Sequence, residues 1–242
     1  MQLDVLAFGA HPDDVELFAG GTLAKMAALG YATGVVDMSR GELGSRGTPA
    51  VRTREAEMAA KILGLKVREN LRLPDGSIQA TLKARLAVVR MIRKYRPLLV
   101  LTHFWEDKHP DHVATSNLVA EAAHHAGLAK IRTGQDRHRP NTLLYFKLPP
   151  HVFPTLVVDI SAYVEKRNAA IACHRSQLFD PTSTEPATYL SQPEFLARVD
   201  TLHAYYGSLI GKARGEGFHL RGTLEVPDLV EFFRRQESIR RR

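Results

Sequence analysis

The sequence has one cysteine, one tryptophan and no long apolar segment, and these shortages exclude several classes of protein. Because Cys173 is the only cysteine, an intrachain disulfide and a zinc site built on cysteine thiolates are both excluded. No apolar run approaches the roughly 20 residues that span a membrane. Residues 1–4 (Met-Gln-Leu-Asp) show no basic segment or cleavage site of a signal peptide. We therefore expect a cytoplasmic protein that has no membrane partner.

The composition is that of an ordinary globular chain. Its 242 residues are 44% hydrophobic and 24% charged, which fits one large α/β domain. The net charge is +7, but the basic residues are dispersed, and their clearest cluster is the tail 234–242. No low-complexity linker or long repeat divides the chain. We predict a single domain over residues 1–242, mainly helical from about residue 160, that does not bind nucleic acid.

Two short motifs stand between an apolar run and a helical pattern. Gly-Ala-His-Pro-Asp-Asp (residues 9–14) follows the apolar run 3–8, and His-Pro-Asp-His (residues 109–112) comes shortly after the apolar run 98–102. Such a sequence is typical of a buried strand that leads into a helix. In a parallel sheet, all strand-to-helix turns lie at the C-terminal ends of the strands. We therefore predict an α/β fold with a mostly parallel central sheet and an active site at that edge.

Periodicity and turn residues predict the other elements. Helices are expected over 15–29, 51–63, 82–95 and from the second motif to 126, and strands over 33–38, 70–73, 98–102, 142–146 and 155–160. Ser161 is expected to cap a helix that runs to about residue 177. A capping box of Ser191 and Glu194 predicts another helix, to about residue 206. Residues 215–219 are expected to form a loop, and Pro227 to begin a final helix.

The first motif is unsuited to a dinucleotide. It has no Gly-x-Gly-x-x-Gly pattern, and it carries one imidazole and two carboxylates where a phosphate would lie. A helix N-terminus attracts acidic side chains, but these repel a pyrophosphate. The motif therefore indicates a cation site.

Imidazole and carboxylate are good zinc ligands, and a catalytic zinc ion needs about three protein ligands. His11, Asp14 and His112 supply this His₂Asp set, for one zinc ion per chain, and the same set would accept iron(II). With Asp14 as a ligand, Asp13 is left to accept the proton of an attacking water molecule.

The second motif offers two further groups. As an imidazolium, His109 would stabilise a developing oxyanion or protonate a leaving amine. Asp111 would fix the tautomer and orientation of a histidine, as carboxylates next to metal ligands often do.

Two other classes of function stay open. One is a metal-dependent phosphoesterase with two cations, although two-metal sites generally need more carboxylates. Two bound metal ions per chain would favour it. The other is a non-catalytic sugar-binding module, which the full set of candidate catalytic residues argues against.

The strand–Ala-His-Pro-Asp-Asp–helix pattern with a later His-Pro-Asp-His resembles the LmbE-like family of N-acetylglucosaminyl deacetylases, which includes the PIG-L-type enzymes. The similarity extends over most of the chain, through residues 20–22, 39–48, 52–56, 63–64, 73–76, 176–177 and 216–218. The resemblance implies a Rossmann-like three-layer domain without a dinucleotide. It also implies a zinc-dependent amidohydrolase with ligands His11, Asp14 and His112, the general base Asp13, the charged partner His109 and the substrate-binding Arg52.

Within the family, residues 106–112 (Glu-Asp-Lys-His-Pro-Asp-His) are most similar to the branch of bacillithiol biosynthesis. This resemblance implies hydrolysis of N-acetylglucosaminyl-L-malate to glucosaminyl malate and acetate, by a homo-oligomer such as a hexamer. Lys108 stands in place of an expected arginine and cannot make its planar bidentate contact. The cationic loop residues Arg40, Arg46, Arg52, Arg54 and Lys108 suit a substrate that carries carboxylates, such as malate, and Arg52 and Lys108 are the candidate substrate-binding residues. Asp107 or a neighbour stands where mycothiol-pathway relatives have a tyrosine. The alternative substrate is another N-acetylglucosamine conjugate, such as diacetylchitobiose.

Overall fold

The computed structural model describes residues 1–234, and the rest of the predicted basic tail lies outside the described residues. The strands are β1 (Val5–Gly9), β2 (Thr33–Asp37), β3 (Val67–Asn70), β4 (Leu99–His103), β5 (Thr142–Phe146), β6 (Leu156–Asp159) and β7 (Gly215–Leu220). The helices are α1 (Asp14–Ala28), α2 (Pro49–Leu63), α3 (Leu82–Tyr95), α4 (Pro110–Ala126), α5 (Val164–Ile171), α6 (Phe195–Leu209) and α7 (Leu229–Arg234). Within this part of the chain, no helix combines the length and apolar character that crossing a bilayer requires.

The strands form one seven-stranded sheet in the order β3-β2-β1-β4-β5-β7-β6. Val5 of β1 is in register with Thr33 of β2 and Leu99 of β4, and both pairings are parallel. The pairings of β2 with β3 and of β4 with β5 are parallel too, whereas β7 is antiparallel to β5 and β6. The predicted mostly parallel α/β fold is confirmed. The C-terminal ends of β1 and β4, which precede the two motifs, are therefore neighbours.

Helices cover both faces of this sheet. Side chains of β1 alternate, so that Leu6 and Phe8 pack with α3 and α4, whereas Val5 and Ala7 pack with α1. On the second face, α1 also contacts α2 and α5 through Ala24 and its neighbours. Burial of each large apolar side chain contributes about 1.5–3 kcal/mol. Three layers result, and the buried β1 holds the first motif in a fixed position.

Strand β7 corrects the prediction of a loop over residues 215–219. Its glycines have low intrinsic preference for a strand, and that is why the pattern reads as a loop. In the structure, the ring of Tyr206 lies 2.9–3.0 Å from where a Cβ of Gly217 would be. A side chain at this position would displace α6, so the glycine makes close helix–strand packing feasible.

Three other predicted elements were misplaced. The predicted strand over 70–73 begins earlier, at Val67. Helix α5 ends at Ile171, well before residue 177, because the following segment turns towards α2, where the backbone N–H and hydroxyl of Ser176 donate to Glu55. The capping box is absent: the hydroxyl of Ser191 accepts from the N–H of Thr188, and α6 begins at Phe195.

Candidate active site

The two motifs meet at the C-terminal edge of the sheet. His11 follows β1, Asp14 opens α1, and His112 lies in the first turn of α4. His11 Nδ1 lies 3.4 Å from Asp14 Oδ2, and His112 Nε2 lies 3.2 Å from Asp14 Oδ1. Their ligand atoms all fall within 4.8 Å of one another. The structure therefore brings the predicted His₂Asp set together, although its two histidines are about 100 residues apart in sequence.

Two carboxylates orient His11. Its Nε2 lies 3.0 Å from Asp75 Oδ1 and 3.4 Å from Asp111 Oδ2. Asp111 is itself held by the N–H groups of Gly76 and Ile78. Because Nε2 faces two acceptors, it carries the ring proton, which leaves the Nδ1 lone pair for a cation. Asp75 was not predicted as a site residue, since Pro-Asp-Gly alone is typical of a turn.

Two charged groups contact the far side of His112. Its Nδ1 lies 3.1 Å from Asp107 Oδ2 and 2.7 Å from Lys147 Nζ. Asp107, at the position where a tyrosine was considered, is thus a neighbour of a candidate ligand. Lys147 was not predicted, although it directly follows β5 and so lies at the same sheet edge. Polar residues at the ends of parallel strands are the sequence signal that would have found it.

His103, the last residue of β4, packs behind the cluster and was also not predicted. Its ring stacks on that of His112 with 4.1 Å between centroids, and its Nε2 accepts from the N–H of Ala10. Burial and the nearby His112 lower the pKa of His103 to about 3. The ring is therefore neutral and supports His112 by packing.

Asp13 lies beside the cluster rather than within it. Its Oδ2 accepts a 3.1 Å hydrogen bond from Arg52 Nη2. Its backbone has φ of 122°, a conformation that non-glycine residues rarely adopt and that costs about 1–3 kcal/mol. Burial raises the pKa of Asp13, and Asp14 raises it further against the opposing charge of Arg52. A buried carboxyl with a raised pKa is well suited to accept a proton.

Of the two predicted substrate-binding residues, Arg52 lies in the cleft and Lys108 lies outside it. Arg52 lines the cleft, but its guanidinium also donates to the carbonyls of Pro12 and Gly41, so the structure shows it as the partner of Asp13. Lys108 is exposed and does not line the cleft, whereas Lys147 does. Substrate contact by Arg52 or Lys108 stays a prediction.

His109 caps α4 and borders the cleft. Its Nδ1 accepts the N–H of Asp111 at 3.2 Å, so Nε2 carries the proton of the neutral ring. Its ring centroid lies 4.8 Å from that of His11 and 4.6 Å from that of His112. Burial, together with His112 and His11, lowers the pKa of His109. The lowered pKa favours a neutral ring over the predicted imidazolium, and the neutral ring still offers an N–H donor to the cleft.

The cluster forms the floor of a cleft of about 370 Å³. Polar groups occupy the floor, and the walls come from α1, the loop after β2, the segment between α5 and α6, and the start of α6. The wall residues are Leu17, Phe18, Leu43, Gly44, Ser45, Gln177, Thr188, Tyr189, Leu190 and Phe195. The walls are mostly apolar, as expected of a site that encloses a small molecule.

The donor set fits a metal ion. Burial raises the pKa of Asp14, but His112, His103 and His11 lower it well below its usual range, so Asp14 remains ionised. Two imidazole nitrogens and one carboxylate are the ligand number and type of a catalytic zinc site. Carboxylates on the outer nitrogens of both imidazoles are typical of metal ligands. The cluster can therefore hold a metal ion.

His11 is expected to stabilise the metal-free protein most below neutral pH. Burial lowers the pKa of His11, but hydrogen bonds to Asp111, Asp14 and Asp75 raise it well above its ordinary value of 6.5. A group with a higher pKa in the folded state stabilises fully below its unfolded pKa and loses that contribution as pH rises through the folded value. The difference in melting temperature between metal-free wild type and His11→Gln should thus be largest below pH 6.5 and shrink above it. A difference that grows with pH would contradict this assignment.

Comparison with known proteins places this site in a family. The sequence profile of the PIG-L family, GlcNAc-PI de-N-acetylase, matches residues 6–123, which include both motifs. A diacetylchitobiose deacetylase from Thermococcus kodakarensis is 30% identical over 229 residues, 88% of this chain and 81% of that protein. The structure of a conserved Thermus thermophilus protein matches with a TM-score of 0.83 and 36% identity, over 93% of this chain and 98% of that chain. That of N,N'-diacetylchitobiose deacetylase from Pyrococcus horikoshii matches with a TM-score of 0.78 and 26% identity, over 90% and 83%.

More distant relatives bear on substrate and reaction. A probable N-acetyl-alpha-D-glucosaminyl L-malate deacetylase from Bacillus anthracis is 26% identical, over 72% of this chain and 80% of that protein. The expected closeness to the bacillithiol branch therefore has less support than similarity to diacetylchitobiose deacetylases. A 4-oxalmesaconate hydratase from Pseudomonas putida is 28% identical, over 73% of this chain and 74% of that protein. The two motifs, the matched profile and the 30% identical relative agree. The chain therefore belongs to the PIG-L family of LmbE-like deacetylases and is an amidohydrolase.

Proposed function

We propose that the chain is a zinc-dependent hydrolase that removes the acetyl group from an N-acetylglucosamine conjugate. The observation that carries the proposal is the His₂Asp cluster at the floor of a cleft, with a separate buried carboxyl, Asp13, beside it. Zinc suits this donor set, and the family includes deacetylases of amino sugars.

Different residues of the site bind the metal ion and transfer the proton. His11, Asp14 and His112 would hold the metal ion, which polarises a carbonyl and lowers the pKa of water when bound. Asp13 accepts the proton of the attacking water, and Arg52 holds that carboxyl in place.

His109 is placed to stabilise the negative charge that develops during the reaction. The Nε2–H of its neutral ring is a donor to the oxygen on which negative charge develops as the acetyl carbonyl is attacked. The leaving amine is then protonated by the proton that Asp13 has taken up. Free amine and acetate are the products.

The cleft favours a neutral sugar conjugate over a malate conjugate. Among residues 1–234, the lysine and arginine side chains that line it are Lys147 and Arg52, and each already contacts a carboxylate. A dicarboxylate would have to compete for these paired cations. The apolar side chains of Phe18, Tyr189 and Phe195 instead offer surface to the face of a sugar ring. We therefore propose a diacetylchitobiose-like substrate, with N-acetylglucosaminyl malate as the competing candidate.

Amine release from both compounds tests this proposal. We expect turnover of diacetylchitobiose, abolished by a chelator and restored by zinc, with kcat/KM at least about tenfold above that for the malate conjugate, a margin of about 1.4 kcal/mol. Free N-acetylglucosamine, which lacks the second sugar ring of diacetylchitobiose, is the control that measures how much this ring contributes to turnover. A preference for the malate conjugate would support the bacillithiol branch instead. A metal-loaded protein that turns over none of these compounds would overturn the proposal and direct attention to phosphoesters or to hydration.

A further inference from the structure

His112 Nδ1 has two charged neighbours, one of which requires a proton on this nitrogen and the other a lone pair. It lies 3.1 Å from Asp107 Oδ2 and 2.7 Å from Lys147 Nζ, and these two groups are 2.8 Å apart. The carboxylate requires a proton on Nδ1, because it can only accept a hydrogen bond. The ammonium requires a lone pair on Nδ1, because it can only donate one. A neutral imidazole satisfies one neighbour at a time.

The choice between them decides whether His112 can bind a metal ion. With the proton on Nδ1, the ring donates to Asp107, and the Nε2 lone pair is free for the cation. With the proton on Nε2, the ring accepts from Lys147 and donates to Asp14 Oδ1, which lies 3.2 Å from Nε2. In that second tautomer His112 cannot act as a ligand.

We propose that Asp107 and Lys147 are positioning residues that set the metal affinity of the cluster in opposite directions. Asp107 stabilises the ligating tautomer of His112. Lys147 stabilises the non-ligating tautomer, and its charge also repels a bound cation. The inference rests on the proposed function only in taking His112 as a ligand.

The position of the Lys147 ammonium is built into the fold. Lys147 directly follows β5 and has φ of 57°, a left-handed conformation that is unusual for a residue with a side chain. Its ammonium also lies 5.5 Å from the ring centroid of Phe18, a cation–π contact. Asp107 is fixed independently, because its Oδ1 accepts from the N–H of His109. Neither group is a freely moving surface side chain.

Zinc titration of the metal-free protein against a competing chelator tests the proposal. Lys147→Met keeps an unbranched stem of similar length without the charge, and we expect it to bind zinc about tenfold more tightly. Asp107→Asn replaces the carboxylate with a weaker acceptor, and we expect zinc binding about 10–100-fold weaker. Lys147→Arg, which retains a cation, should stay within about threefold of wild type, as should the control Lys130→Met in the exposed loop after α4.

The opposite signs separate this proposal from a general structural role. Damage to the fold would weaken zinc binding in both variants, so weaker or unchanged binding by Lys147→Met overturns the proposal. If Lys147→Met does not fold, as judged by the melting curve of the metal-free protein, Lys147→Gln takes its place with the same expected direction. The titration needs no substrate. Its outcome is therefore independent of the outcome of the deacetylase assay.

Discussion

Replacing Asp13 with asparagine is expected to reduce kcat by about 10²–10⁴-fold, the usual contribution of a general base, while the protein keeps its metal ion. Asparagine has nearly the same shape and still offers an oxygen to Arg52, so the 3.1 Å contact with Nη2 can persist. It cannot accept a proton from water. The measurements are kcat with the best substrate and the metal content of the purified variant.

The matched control is a ligand variant. His11→Gln should lose both the metal ion and turnover, because the proposed site takes one of its ligand nitrogens from His11, which Asp75 and Asp111 orient. The contrast between the two variants separates proton transfer from metal binding. If Asp13→Asn retains near-normal turnover, Asp13 is not the base. If it loses the metal as completely as His11→Gln, Asp13 is a ligand.

The local sequence is sufficient to predict the inner cluster. His11, Asp14 and His112 lie in short motifs directly before or within the first turn of a helix, and β1 and β4 are adjacent in a parallel sheet. The rule that such turns share one sheet edge brings the motifs together without any knowledge of side-chain contacts. That is why these residues could be selected from the sequence.

The outer contacts depend on tertiary placement that local patterns do not encode. Asp75 lies in a turn after β3, yet the β3-β2-β1 order brings it to His11. Lys147 reaches Asp107 only because β5 pairs with β4. Lys108, by contrast, is next to the motif in sequence but exposed in space. Proximity in sequence therefore predicted the residues of the inner cluster better than it predicted the residues that surround them.

Arg52 illustrates the same limit and leads to the second large effect. The family resemblance assigns it to the substrate, whereas the structure shows a buried guanidinium that joins Asp13 to the carbonyls of Pro12 and Gly41. We expect Arg52→Met to destabilise the metal-loaded protein by about 3–5 kcal/mol, because it leaves the buried carboxylate of Asp13 without its partner. For a chain of this size, each kcal/mol lowers the melting temperature by about 2–4 °C. Thermal unfolding measures the effect directly.

Kinetics distinguish the two roles of Arg52. A side chain that only binds substrate would raise KM when removed and leave kcat and stability unchanged. A side chain that holds the general base should lower kcat and stability together. Arg52→Lys tests the geometry. Lysine keeps the charge, but it lacks the planar guanidinium whose separate N–H groups donate to Pro12, Gly41 and Asp13 at the same time. We expect this variant to recover only part of the stability.

A double-mutant cycle with Asp13→Asn completes the argument. If Arg52 acts through the charge of Asp13, its removal should cost less stability when residue 13 is a neutral asparagine, since no buried charge is then left unpaired. The coupling should reach about 1–3 kcal/mol. Additive effects would show that Arg52 is held by Pro12 and Gly41 alone and is free to serve the substrate, as the family resemblance implies. A strong coupling would instead make Arg52 and Asp13 one catalytic unit, separate from the proposed metal ligands beside them.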